Sequence, residues 1–281
     1  MRRDSFLGLS AGGFHRIAYT EWGSPREQRV AVCVHGLTRS GRDFDVLARA
    51  LQRRYRVACP DIAGRGRSDW LTDKSQYTFI TYCADMTALL ARLRGKSVDW
   101  IGTSMGGQVG MILAAQPNSP IRRLVLNDIG PLVPKEAPRR MLSYAANQPG
   151  PFKSLAAAER YMRDIYAPFG KLSNAEWARI TRHSLRAVKG GRFALAYDPS
   201  LVEPLKEMQH ADFHIWPLWD RIRCPVLVLR GTESDVLLRS TAEEMQTRGP
   251  PVELIEFEGI GHAPTLTSPE QVRIVSDWLR H

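Results

Sequence analysis

Val98-Asp99-Trp100-Ile101-Gly102-Thr103-Ser104-Met105-Gly106-Gly107-Gln108 is the stretch on which the fold turns. The run Val98 to Ile101 reads as a strand, and Gln108 to Ala115 reads as a helix. A serine in so sharp a strand-to-helix turn is lifted clear of the sheet, where its hydroxyl can reach an electrophile. Ser104 is therefore the candidate nucleophile.

The flanking sequence alternates in the same way. Strand candidates are Arg16 to Glu21, Val30 to Val34, Arg56 to Cys59, Arg123 to Leu126, Val226 to Leu229 and Val252 to Phe257. Helix-like stretches lie at Phe44 to Arg54, Tyr82 to Arg94, Ser240 to Arg248 and Pro269 to Leu279. Several of the strands are unbroken aliphatic runs, which suits a sheet covered on both faces. The alternation predicts an α/β fold with a doubly wound, mostly parallel sheet. Between Asn127 and Cys224 the rhythm changes to helix-like segments at Lys135 to Asn147, Ser154 to Tyr166, Asn174 to Val188 and Pro199 to Met208, without a convincing strand. The expected organisation is a sheet domain from residues 1–129 and 221–281, with residues 130–220 inserted as a separate helical unit.

Composition narrows the function classes. A chain of 281 residues with 43% hydrophobic content can bury a substantial core. The formal charge is +10, but only seven of the 39 basic residues are lysine and neither end carries a basic block. That distribution reads as a solvated arginine-rich surface rather than a nucleic-acid footprint, although it favours anionic substrates by steering. Cys33, Cys59, Cys83 and Cys224 form no CxxC pair or metal-ligand cluster, so reduced thiols and no metal are expected. Met1 to Gly8 is not followed by the sustained apolar stretch of a signal peptide, and no apolar run approaches the roughly 20 residues of a membrane helix. A soluble cytoplasmic protein with no membrane partner is the expectation.

Three further segments carry chemistry. Val34-His35-Gly36-Leu37 ends an early strand, Gly231-Thr232-Glu233-Ser234-Asp235 follows another, and Gly261-His262-Ala263-Pro264 follows the last. The chain order is thus nucleophile, acid, histidine, behind an upstream His-Gly loop. This pattern resembles the α/β-hydrolase superfamily across nearly the whole chain. A serine hydroxyl is a poor nucleophile until a base takes its proton. An imidazole held by a buried carboxylate does so, then returns the proton to the leaving group. The resemblance implies Ser104 as nucleophile, His262 as base and Asp235 as acid. Asp128, after the preceding strand, is the competing acid, because some members draw theirs from that position. Asp235 is preferred, since its loop length and spacing to His262 match the commoner arrangement. The resemblance also implies backbone N–H groups of Leu37 and Met105 as the oxyanion hole, and residues 130–220 as a helical cap. His35 is expected to tie down its own loop rather than act as a base.

The implied activity is hydrolysis of a carboxylic ester through an acyl-enzyme, with a small-molecule substrate and no cofactor. The aromatics between Tyr144 and Trp219, namely Tyr144, Phe152, Tyr161, Tyr166, Phe169, Trp177, Phe193, Tyr197, Phe213, Trp216 and Trp219, are enough to line a partly apolar pocket, although aromatics on helices usually fill their own core. Arg39, two residues beyond Leu37, reads either as a partner for a carboxylate on the substrate or as a solvated loop residue. On the first reading the substrate is an acid-bearing ester, and short oligomers of hydroxyalkanoic acids fit; the overall pattern is similar to bacterial hydrolases of such oligomers. Carbon–carbon bond hydrolases and enol-lactonases share the serine triad, but the former typically carry tryptophan where this chain has Ala263. A slow-turnover, hydrolase-like receptor is the alternative of another class. Epoxide hydrolases and haloalkane dehalogenases place aspartate where Ser104 stands. A dinucleotide fingerprint laid on Gly102 requires glycine at 104, so no nicotinamide cofactor is expected. Gly64 and Gly66 lack the Gly-Lys-Ser/Thr ending of a phosphate loop and read as a structural turn.

Overall fold

In the computed structural model the described residues are 1–95, 97–146 and 149–280, with the side chains of 144–146 also outside the description. The helix end expected at Asn147 and the side chain of Tyr144 thus lie outside the described residues. Strands β1 (Arg2–Ser10), β2 (Gly13–Trp22), β3 (Val30–Val34), β4 (Arg56–Pro60), β5 (Val98–Thr103) and β6 (Ile121–Asn127) precede the inserted segment. That segment carries β7 (Leu132–Val133), β8 (Leu185–Val188), β9 (Arg192–Leu195) and β10 (Phe213–His214). Strands β11 (Val226–Gly231) and β12 (Val252–Phe257) follow it.

Eight strands form one sheet in the order β1-β2-β4-β3-β5-β6-β11-β12. The β1–β2 and β2–β4 pairs are antiparallel and the remaining pairs are parallel. Alternation along each central strand feeds two separate cores. Val30, Val32 and Val34 of β3 face one, with Val226 and Val228 of β11. Ala31 and Cys33 face the other, with Leu227 and Leu229. Both faces must be apolar because both are covered by helices. Helices α1 (Asp45–Leu51) and α10 (Pro269–Trp278) close one face, while α2 (Phe79–Leu93), α3 (Met105–Ala114) and α9 (Arg239–Thr247) close the other.

The first strand was not expected. It presents almost no buried face, with Leu7 and Leu9 exposed, and is held by pairing with β2 along its whole length. Its sequence therefore lacks the apolar signature of the interior strands.

The described residues between 130 and 220 contribute no strand to the large sheet. They contain α4 (Glu136–Ala146), α5 (Leu155–Ile165), α6 (Asn174–His183), α7 (Glu203–Met208) and α8 (Trp216–Trp219). The antiparallel pair β7–β10 brings the two ends of the segment together. Contrary to the all-helical expectation, α6 stops at His183 and the chain turns into the hairpin β8–β9. Gly190 and Gly191, both at positive φ, make that turn, and a helix could not have continued through them.

In the sheet order, the chain leaves β3 towards β4 on one side and returns to β5 on the other. The loops after β3 and β5 therefore diverge and open a crevice at the carboxyl ends of the strands. Ser104 and the His35-Gly36-Leu37 loop both lie at that switch point.

Candidate active site

Ser104 stands between β5 and α3 with φ 52° and ψ −120°, a conformation that costs a non-glycine residue energy and is held by its surroundings. Its N–H donates to the Asn127 carbonyl at 3.1 Å, and its carbonyl accepts from the N–H groups of Gly107 and Gln108. The flanking glycines are dictated by packing. A Cβ on Gly102 would lie 2.3 Å from the Gly106 carbonyl oxygen, and one on Gly106 would lie 2.1 Å from that of Val34. The turn is thus pressed against the end of β3.

The Ser104 Oγ is 2.9 Å from His262 Nε2. On the far side of the ring, Nδ1 lies 2.7 Å from Asp128 Oδ2. Asp128 follows β6 and is fully buried. Its carboxylate also accepts from the Gly231 N–H at 2.9 Å and the Ser234 hydroxyl at 2.5 Å. A buried carboxylate needs such donors to satisfy its oxygens and fix its orientation.

Asp235, expected as the acid partner, is not in the series with His262. It is 43% exposed on its side chain and forms a two-pronged ion pair with Arg140 of α4, including a 2.8 Å contact from Nη2 to Oδ1. The physical reason is the course of the loop after β11. Ser234 turns inward to the carboxylate delivered by β6, and the next residue turns outward to the inserted segment.

His35 is completely buried. Its Nδ1 donates to the Gly36 carbonyl at 2.7 Å, while Nε2 accepts the Ile62 N–H at 3.0 Å. Burial pushes this imidazole down to about 4, so it is neutral at physiological pH. Gly36 packs beside the nucleophile, with its would-be Cβ 3.5 Å from Ser104 Cβ. Leu37 follows it, and Met105 opens α3, where a first-turn N–H has no partner within the helix.

Arg65, a residue not singled out in the sequence, braces both of those positions. Its fully buried guanidinium donates to the Leu37 carbonyl at 2.7 Å and to Met105 Sδ at 3.3 Å. It also donates to the Ala63 carbonyl at 2.6 Å and Tyr82 Oη at 3.0 Å. The turn between Gly64 and Gly66 serves to deliver this side chain. Asn127 acts similarly, its Nδ2 reaching Thr103 Oγ1 and the Pro264 carbonyl and so joining the loops that carry Ser104 and His262.

Arg39, expected to meet a substrate carboxylate, is engaged by partners within the protein. Its guanidinium grips Asp43 at 2.9 and 2.6 Å, donates to Ser184 Oγ at 2.7 Å and stacks over Tyr166. Burial opposes its charge, but the Asp43 carboxylate together with Tyr166 more than offsets that, and its pKa is raised.

Two chambers meet at Ser104 and Leu37. One contains His262, Tyr161, Tyr166 and Phe169, together with several arginines. The other is largely apolar, with Phe79, Ile129, Val133, Phe213 and Val236 in its wall. Gln108 also lines the apolar chamber, and its buried Nε2 has no partner among the described residues. Trp177 is instead buried beneath the Arg163 guanidinium, outside the residues that line either chamber. Among the described residues no group of three or more His, Cys, Asp or Glu is placed to hold a metal ion, and no helix is long and apolar enough to cross a membrane.

The sequence model of the alpha/beta hydrolase family matches residues 31–273. A 3-hydroxybutyrate-oligomer hydrolase from Cupriavidus necator is 44% identical over 274 residues, covering 95% of this chain and 93% of that protein. Among solved structures, a putative hydrolase from Rickettsia typhi superposes with a TM-score of 0.93 at 31% identity, covering 100% of this chain and 99% of the other. An alpha/beta hydrolase from Novosphingobium aromaticivorans gives 0.85 at 33% identity, with 99% and 98% covered. This chain belongs to the alpha/beta hydrolase family, as an ester-hydrolysing member.

Proposed function

We propose that the protein is a serine hydrolase that cleaves short 3-hydroxybutyrate oligomers through an acyl-enzyme. The observation that carries the mechanism is the unbroken series from Ser104 Oγ through His262 to Asp128. The substrate assignment is supported by the relative from Cupriavidus necator. Ser104 Oγ attacks the ester carbonyl carbon as its proton passes to His262 Nε2, and Asp128 stabilises the resulting imidazolium. The carbonyl oxygen gains the negative charge and is met by the N–H groups of Leu37 and Met105. On collapse the C–O bond to the alcohol breaks, and His262 returns the proton to that oxygen. Water, deprotonated by His262, then attacks the acyl-enzyme, releasing the acid and regenerating Ser104. Residues 130–220 act as a cap that walls the two chambers. The four free thiols suit a reducing compartment, and we place the protein in the cytoplasm.

Mass spectrometry of rapidly quenched protein mixed with 3-hydroxybutyrate trimer tests this reading. One hydroxybutyryl group or short chain on Ser104 is expected, together with loss of turnover by at least about 10³-fold in Ser104→Ala. Wild-type turnover by a folded Ser104→Ala protein would overturn it.

A further inference from the structure

Four arginines line the chamber that contains His262: Arg39, Arg42, Arg140 and Arg179. Three are committed. Arg39 is paired with Asp43, Arg42 with Asp45 and Arg140 with Asp235. Arg179, half-buried on α6, makes no hydrogen bond and no ion pair within 4.0 Å among the described residues, and its charge reaches Glu176 only through space. Its nearest acidic neighbour along the helix, Glu176, already accepts from the Ser173 N–H, the Ser173 hydroxyl and Thr267 Oγ1. The Thr267 contact matters for position as well, because it fastens α6 to the chain just beyond His262. His183, one turn after Arg179, lines the same chamber. Burial, reinforced by the charge of Arg42, lowers its pKa, so it adds no competing cation at neutral pH.

Resting on the hydrolase reading above, we infer that Arg179 binds the free carboxylate of the substrate, on the leaving-alcohol side of the scissile ester. In a linear hydroxyacid oligomer the terminal carboxylate belongs to the alcohol half of whichever ester bond is cut. That half must sit where His262 Nε2 can protonate its oxygen, and so in the chamber that contains both His262 and Arg179. The acyl half occupies the apolar chamber beside Met105. A planar guanidinium that makes no hydrogen bond or close ion pair among the described residues matches a carboxylate in a two-pronged geometry, and its half-buried position strengthens that contact relative to open water. Charge sorting thus sets which way round the oligomer lies across Ser104.

The test compares kcat/KM for the 3-hydroxybutyrate dimer as free acid with that for its methyl ester, in wild type, Arg179→Gln and Arg179→Lys. Wild type is expected to prefer the free acid. Arg179→Gln is expected to reduce the acid-to-ester ratio by about 10–100-fold, mainly through KM, with Arg179→Lys retaining part of the preference. Competitive inhibition by 3-hydroxybutyrate should weaken in parallel in Arg179→Gln, which reads binding without turnover. A ratio within twofold of wild type in Arg179→Gln, or unaltered inhibition by 3-hydroxybutyrate, would overturn the assignment. Failure of wild type to cleave either dimer would instead overturn the hydrolase reading on which it rests.

Discussion

The carboxylate of Asp128 lies 2.7 Å from His262 Nδ1, although the two residues are 134 positions apart and come from different strand ends. Three donors converge on that carboxylate: the imidazole, the Gly231 N–H and the Ser234 hydroxyl. In the proposed mechanism this carboxylate, on the side of the ring remote from Ser104, selects the tautomer that leaves Nε2 free to accept the seryl proton. Asp235 answers a different need, tying α4 to the loop after β11.

Arg65 connects this centre to its proposed oxyanion site. Lysine cannot reproduce a planar fork that serves the Leu37 carbonyl, the Ala63 carbonyl, Tyr82 and Met105 together. Arg65→Lys should lower kcat by about 10–100-fold with little change in KM, since an imperfect oxyanion donor is felt in the transition state. Affinity for a boronic-acid transition-state analogue should fall in parallel, whereas affinity for the product acid should not. An unchanged kcat in the folded variant would remove the positioning role.

His35 predicts a pH dependence of stability. Its folded pKa is depressed to about 4 by burial, below the ordinary imidazole value. The unfolded chain therefore takes up a proton before the folded one does. The stabilising contribution is full above the unfolded value of ~6.5, declines as pH falls, and is gone below about 4. Denaturant titrations should show wild type losing up to about 3 kcal/mol across that window beyond the loss seen in His35→Gln. Equal losses in both proteins would contradict the assignment.

Arg39 is a fastening between the loop after β3 and the end of α6. Arg39→Gln should destabilise the fold by about 2–4 kcal/mol, because Asp43 is left without its partner in a partly buried site. It should raise KM for neutral and acid-bearing esters by similar factors, measured side by side. A rise confined to acid-bearing esters would show that Arg39 meets the substrate directly.

The interior of the sheet was legible in the sequence because β3, β5, β6 and β11 are buried on both faces and their composition says so. Ser104 and His262 were legible because a tight turn and a glycine-flanked histidine leave local marks. The acid was not. Asp128 and Asp235 both follow a strand, and the choice between them rests on the inward turn of Ser234, a tertiary fact without a residue pattern. Arg39 and Asp43 stand four apart, so their pairing had a signal in the spacing, but nothing local distinguishes Arg179 from the other arginines. The hairpin β8–β9 was obscured by helix-compatible residues before the glycine pair. Strand β1 was hidden by its exposure at the sheet edge.

The most direct measurement is the kcat of Asp128→Asn beside that of Asp235→Asn on the same 3-hydroxybutyrate dimer, with folding checked by thermal melts. Asp128→Asn is expected to lose about 10³–10⁴-fold, as the loss of a buried triad carboxylate does, while Asp235→Asn stays within about threefold of wild type. A large loss in Asp235→Asn with near-normal turnover in Asp128→Asn would contradict the account.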